Sequence, residues 1–329
     1  MSTASDGHVA VVGLGLIGGS LARLLASRGV AVVGTDTSAT TRGSARSAGL
    51  EVAADVGSAV TGARIVVLAV PLRAMRAVAV DVARHVGADA TVTDVGSVKG
   101  SVRRALAAAG LGKQYVGAHP MAGTEHSGFG ASDPKLLDGA AWAVTVAPGT
   151  DPDRLAAVLR LVTGPLRGTA AVLTDDVHDE VTALVSHVPH VVATQLLNAV
   201  AGAPVRDAAL GLAAGSFRDG TRVALTDPAR TEAMVTQNAG WVASALRKVV
   251  RDLDAVLDAL ETNAPVAEFF HASDDVRASW PPGENSTPSG ENVRVPLAGD
   301  WPPELVDRCT AGAVVVGLTD GEAELRSPR

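Results

Sequence analysis

Residues with chemical potential gather in two stretches of the chain. The first is Val9-Ala-Val-Val-Gly-Leu-Gly-Leu-Ile-Gly-Gly-Ser20, which places Gly13, Gly15 and Gly18 in a G-x-G-x-x-G pattern through Leu16 and Ile17. Such glycines permit a tight turn, a close backbone approach to a pyrophosphate, and close helix–strand packing. A helix starting near Gly15 aims unpaired N–H groups and its positive end at that anion. Asp36 follows 18 residues after Gly18, where a carboxylate can accept from both ribose hydroxyls and repel a 2′-phosphate, favouring NAD over NADP. Arg42 could partly offset that repulsion. The second stretch, with Ser97, His119, Thr124 and Glu125, is polar and follows predicted strands. His119 suits a general base for deprotonating an alcohol, because an imidazole titrates near neutrality; the alternative is a structural histidine capping a loop. Ser97 either orients His119 or the substrate hydroxyl, or caps the helix beginning at Val98. Lys99 is expected at the surface or a helix end.

These groups need a scaffold that brings them together. Apolar, β-branched runs at residues 8–12, 30–35, 64–70, 90–95 and 115–118 read as buried parallel strands, with helical spacing at 18–28, 40–48, 72–85 and 98–109 between them. Two further strands are expected at 141–146 and 170–173, around a helix at 153–163. The alternation calls for an open parallel sheet covered by helices. Ligands of such sheets bind outside the carboxyl ends of the strands, which collects Gly13–Gly18, Asp36, Val70-Pro71, Ser97 and His119 at one crevice. After Asp175 the strand signals stop. Stretches 177–201, 205–214 and 228–260 are helical and rich in Ala, Leu and Val, suggesting packing against a second copy. The expected fold is therefore α/β: a Rossmann-type parallel-sheet domain (1–174), then an all-helical dimerisation domain (175–280). A linker and short tail (281–329) follow, with a hairpin around Asp320-Gly321.

Composition narrows the function classes. The 329 residues are 47% apolar yet 3% aromatic, so the core is built from aliphatic side chains. A net charge of −7 argues against a general nucleic-acid or anionic-membrane binder. No run is long enough for a membrane helix. The start lacks a basic region before its first strand, so no signal peptide is expected, and the lone Cys309 fits a reducing cytoplasm. His187 and His190 are spaced i, i+3, but no companion carboxylate or cysteine cluster supports a metal, and none is expected.

Taken in series, Gly13–Ser20, Asp94-Val-Gly-Ser-Val-Lys99, Gly117-Ala-His-Pro-Met-Ala-Gly-Thr-Glu125, His178-Asp179 with Ser186-His-Val-Pro-His190, and Gly215-Ser-Phe-Arg-Asp-Gly-Thr-Arg222 resemble the prephenate/arogenate dehydrogenase family of tyrosine biosynthesis. The resemblance spans about residues 8–260. It implies a homodimer that oxidises the ring C4 alcohol of prephenate or arogenate with NAD(P)⁺ while the ring loses CO₂. Carried over by motif, His119 is the base and Ser97 assists it. Arg222, and more weakly Arg218, hold substrate carboxylates; Thr124 and Glu125 shape the substrate end; His178, His187 and His190 line or gate the site. Arg222 has an alternative as an interdomain ion pair, and His187 and His190 as core or interface residues. Arg218 stands where some relatives carry lysine, and Thr231 where some carry tryptophan.

Other functions fit less well. β-Hydroxyacid dehydrogenases use a lysine from their helical part, and no lysine lies between Lys135 and Lys248. A non-catalytic NAD sensor would need neither a base nor an anion grip. A dehydrogenase for 4-amino-4-deoxyprephenate shares every motif, and the motifs do not separate prephenate from arogenate.

Overall fold

The computed structural model describes residues 7–279 and 290–327. The expected linker lies largely outside the described residues. Five parallel strands, β1 (Val9–Val12), β2 (Val32–Thr35), β3 (Glu51–Val52), β4 (Ile65–Leu68) and β5 (Thr91–Asp94), form a sheet of order β3-β2-β1-β4-β5. Helices α1 (Leu16–Ser27), α2 (Ala39–Ser47), α3 (Val56–Val60), α4 (Met75–Ala83) and α5 (Lys99–Ala108) connect them and lead on. The central strands β1 and β4 are short aliphatic runs buried on both faces, as parallel strands under helices must be, whereas the edge strand β3 is partly exposed. One core joins Val9 and Val11 to Leu21 and Leu25; the other joins Val12, Val66 and Leu68 to Met75, Val82 and Leu106.

A parallel bridge between Val92 and Tyr115 hands the chain to a second sheet. It contains β6 (Gly117–Pro120), β7 (Ala141–Val146), β8 (Thr169–Thr174), β9 (Asn292–Pro296), β10 (Val314–Leu318) and β11 (Glu322–Arg326), in the order β6-β7-β8-β10-β11-β9. β6 runs antiparallel to β7, whereas β7 and β8, linked by α6 (Pro152–Thr163), are parallel. The tail hairpin around Asp320-Gly321 is present as β10–β11. Sequence periodicity did not show β9 or the tail helix at Pro302–Thr310. These elements carry the sheet past β8, and Leu305, Val315 and Leu325 enter the same core as Val144, Leu159 and Val172.

The chain leaves β8 directly into a helical array: α7 (Asp175–Thr182), α8 (Val188–Ala201), α9 (Arg206–Gly211), α10 (Gly215–Thr221), α11 (Pro228–Gln237), α12 (Ala239–Glu261), α13 (Ala267–His271) and α14 (Asp274–Ser279). The tail helix is α15 (Pro302–Thr310). Two long helices expected from spacing are interrupted. A π-turn at Ala183–His187 separates α7 from α8, and Asn238 separates α11 from α12. The helical core is small, centred on Ala183, Val188 and Val242. Large apolar side chains remain outside it: Val185, Leu212 (84% exposed), Leu225, Leu253, Leu257 and Leu260. Among the described residues no helix is long and apolar enough to cross a membrane.

Candidate active site

The glycine turn has the geometry its sequence requires. Gly13 sits at φ +97°, and a Cβ there would stand 2.4 Å from the Ala69 carbonyl oxygen. A Cβ on Gly18 would lie 1.9 Å from the Gly13 carbonyl oxygen, so only glycine lets α1 pack so close to β1. Gly15 differs: a Cβ there would meet nothing within 4 Å, and the space above it is open to a ligand. Gly15 is also the N-cap of α1, with no side chain bonded to the helix start. Unpaired N–H groups therefore face that space, as a pyrophosphate requires. Asp36 ends the second strand. Its Oδ2 accepts from the Leu14 N–H at 2.8 Å and its Oδ1 from the Ser38 N–H at 2.9 Å, fixing the carboxylate at the rim of the turn. Arg42 donates to the backbone carbonyls of Asp36 and Thr37, which holds its guanidinium at the same rim. Val70 and Pro71 follow β4. The donor set suits a dinucleotide diphosphate and a ribose diol.

His119 lies in β6, half-buried, beside the join between the two domains. Its Nδ1 is 3.0 Å from His178 Nε2, and His178 Nδ1 is 2.8 Å from Asp179 Oδ1. The Asp179 carboxylate accepts from the backbone N–H groups of Lys99 (2.7 Å) and Gly100 (2.9 Å), the first turn of α5. Thr174 caps α7 through the Val177 N–H, which sets the start of the helix carrying His178 and Asp179. Asn238 donates from Nδ2 to the Asp179 carbonyl at 2.7 Å and stands 3.1 Å from His187 Nδ1. One chain of contacts thus joins β6, α5, α7, the π-turn and the start of α12.

Electrostatics keep these imidazoles neutral. Burial, then the neighbouring His178, Lys99 and His187, hold His119 well below the ordinary histidine range. His178 is lowered by burial, against the opposing pull of Asp179. His187 is brought down to about 4, mainly by burial. Burial alone would raise Asp179, but hydrogen bonds from His178 and from the N–H groups of Lys99 and Gly100 prevail and hold it below the usual carboxylate value.

Beneath His119 lies a second buried polar group. Lys99 is 0% exposed; its Nζ donates to Asp94 Oδ2 and, at 2.7 Å, to the carbonyl of Ala118, the residue before His119. Asp94 also accepts from the Tyr115 hydroxyl (2.8 Å) and the Gly96 N–H (2.8 Å). Arg103 pairs with Asp175 and lies over the Tyr115 ring at 4.8 Å. The expectation of a surface lysine is thus corrected. Lys99 opens α5, but its side chain turns inward because a buried carboxylate needs a buried cation.

Several other expectations change. Ser97 is not the helix cap: Val98 holds that position, and Asp179 supplies the capping carboxylate from the other domain. Ser97 is half-buried and makes no side-chain hydrogen bond among the described residues. His178 is 1% exposed, its Nε2 against His119 Nδ1. His187 is 0% exposed, engaged by Asn238, and its Nε2 has no partner among the described residues. His190 is half-buried, its Nδ1 donating to the Ser186 carbonyl at 2.8 Å. Arg218 and Arg222 are exposed and form no ion pair among the described residues. Thr124 is half-buried and Glu125 exposed, in the loop after β6; the Thr124 carbonyl accepts from Arg230 of α11 at 3.0 Å. The structure brings together His119, His178 and His187, and among the described residues no hydrogen bond or ion pair joins them to Thr124, Glu125, Arg218 or Arg222. Sequence reasoning missed Asp179, Asn238, Lys99 and Arg230 as contributors. Among the described residues no group of three or more His, Cys, Asp or Glu is placed to hold a metal.

Residues 21–173 match the family model for the prephenate dehydrogenase nucleotide-binding domain, and residues 174–271 that for the prephenate dehydrogenase dimerization domain. The chain belongs to the prephenate dehydrogenase family. Cyclohexadienyl dehydrogenase of Zymomonas mobilis is 35% identical over 259 residues, covering 77% of this chain and 88% of its own. The prephenate dehydrogenase from Aquifex aeolicus in complex with hydroxyphenyl propionate and NAD⁺ superimposes with a TM-score of 0.76 at 30% identity, over 84% of this chain and 99% of that one. Synechocystis arogenate dehydrogenase gives 0.70 at 30% identity, over 83% and 98%. Prephenate dehydrogenase family membership makes this chain a dehydrogenase with a nucleotide-binding and a dimerization domain. The matched stretches end at residue 271, and α14, β9, α15, β10 and β11 lie beyond them.

Proposed function

We propose that the protein catalyses NAD-dependent oxidative decarboxylation of prephenate to 4-hydroxyphenylpyruvate, acting as a homodimer in the cytoplasm. The observation that carries this reading is His119: a neutral imidazole at the crevice end of β6, its Nδ1 occupied by His178. Bound NAD⁺ supplies the hydride acceptor for ring C4. Gly13, Gly15, Gly18 and the uncapped start of α1 receive its diphosphate, and Asp36 the adenosine ribose. His119 takes the C4 hydroxyl proton, and Ser97, whose hydroxyl is unengaged among the described residues, orients that hydroxyl. As C4 becomes a carbonyl, the bond from C1 to its carboxylate breaks and its electron pair enters the ring, which becomes aromatic. Aromatisation supplies much of the driving force, so the site chiefly needs positioning and one base. Arg222, with Arg218 one turn before it, grips the carboxylates; Thr124, Glu125 and His190 shape the substrate end. Exposed aliphatic side chains on α8 (Leu196), α9 (Leu210) and α12 (Val250, Leu253, Leu257, Leu260) support pairing with a second copy.

Arogenate is the second reading, favoured by the likeness to an arogenate dehydrogenase. It differs in carrying an amino group in place of the side-chain ketone. Steady-state kinetics with each substrate and each of NAD⁺ and NADP⁺ test the proposal. NAD⁺ with prephenate is expected to give the highest kcat/KM. A higher value with arogenate would reassign the substrate, and NADP⁺ preferred over NAD⁺ would overturn the role of Asp36.

A further inference from the structure

The contacts behind His119 determine more than its position. Asp179 is the fixed end: its two oxygens take the Lys99 and Gly100 N–H groups of α5, and its carbonyl is held by Asn238. An ionised carboxylate only accepts hydrogen bonds, so the His178 Nδ1 at 2.8 Å must carry a hydrogen. In a neutral imidazole the other nitrogen is then an acceptor, and His178 Nε2 presents a lone pair. His119 Nδ1, 3.0 Å from that lone pair, must donate to it. The remaining nitrogen of His119, Nε2, therefore holds the lone pair. The opposite assignment would set a ring lone pair against a carboxylate.

The geometry points to Asp179 and His178 as positioning residues that make Nε2 the basic nitrogen of His119 and take up the charge arriving with the substrate proton. This rests on the reading of His119 as the base. When the alcohol O–H breaks and an N–H forms at His119 Nε2, the Nδ1–H of His119 passes to His178 Nε2. One O–H and one N–H are broken and two N–H bonds are made. His119 is left neutral, and the cation sits on His178 against the Asp179 carboxylate. The proton returns along the same two rings once product has left.

Three variants and one spectroscopic measurement test this. His178→Ala removes the acceptor for His119 Nδ1 while leaving Asp179 on the start of α5; it is expected to lower kcat by about 10²-fold or more with NAD⁺ affinity unchanged. His178→Gln can offer a carbonyl oxygen near the lost Nε2, which restores orientation without carrying a proton, and is expected to recover part of that loss. Asp179→Asn removes the counter-ion, and the acid limb of its kcat/KM profile is expected to move to lower pH. Nitrogen-15 NMR of histidine-labelled resting enzyme, without substrate, should show His119 protonated on Nδ1 alone. That readout stands even if neither prephenate nor arogenate is turned over, an outcome that would remove the proposed function instead. A resting His119 protonated on Nε2, or a folded His178→Ala enzyme within about threefold of wild-type kcat, would overturn the relay.

Discussion

His119→Ala lowers kcat by about 10²–10⁴-fold and leaves NAD⁺ affinity within about twofold. The size follows from removing a positioned base from a step that must deprotonate an alcohol as hydride departs. The selectivity follows from the fold: the groups proposed to hold the dinucleotide are Gly13–Gly18 after β1 and Asp36 after β2, whereas His119 enters from β6 in the other sheet. The wild-type pH profile carries the same signature. The neutral imidazole is the active form, and burial with His178, Lys99 and His187 nearby lowers its proton affinity. Activity should therefore persist as pH falls through the ordinary histidine range and fail only below it. Steady-state kinetics across pH, with NAD⁺ titration of the variant, check both points. Loss of NAD⁺ binding in His119→Ala would assign the residue to the cofactor instead.

Arg222→Ala raises the prephenate KM by about 10–10²-fold with little change in the NAD⁺ KM. Prephenate is a dianion, and a guanidinium can hold a carboxylate through two parallel, charge-assisted hydrogen bonds worth about 1.5–3 kcal/mol. In the structure Arg222 begins the turn Arg222–Leu225, is exposed, and forms no ion pair among the described residues, so its charge is available. Arg218 lies four residues earlier, one helical turn away on the same face. Arg222→Lys should recover only part of the loss, since an ammonium lacks the planar fork. Unchanged prephenate KM in both variants would remove Arg222 from the substrate grip.

The parts legible in the sequence are those set by short-range periodicity and by backbone conformation. Alternating aliphatic runs and helical stretches foretold the parallel sheet, and three glycines at fixed spacing foretold the turn between β1 and α1. The switch to helices after Asp175 was equally plain. What stayed hidden depends on contacts between distant segments. Nothing local to Lys99 says that it folds onto Asp94, because the carboxylate that draws it inward is itself buried by β4 and β6. Ser97 looked like a cap because serine before a helix usually is one; Asp179, 80 residues beyond Lys99, took the role. A capping carboxylate from another domain leaves no mark in a sequence window. The tail was short enough to dismiss as an appendage, and only the pairing of β10 with β8 joins β9, β10 and β11 to the sheet of β6, β7 and β8.

The most direct test is a crystal structure of the enzyme with NAD⁺ and 4-hydroxyphenylpropionate, an inert relative of the product. The phenol oxygen is expected within hydrogen-bond reach of His119 Nε2, about 2.6–3.2 Å, with the nicotinamide C4 over the adjoining ring carbon and Arg222 against the carboxylate. A complex with the phenol oxygen held by other groups, and His119 out of reach of both phenol and nicotinamide, would contradict the assignment of the base.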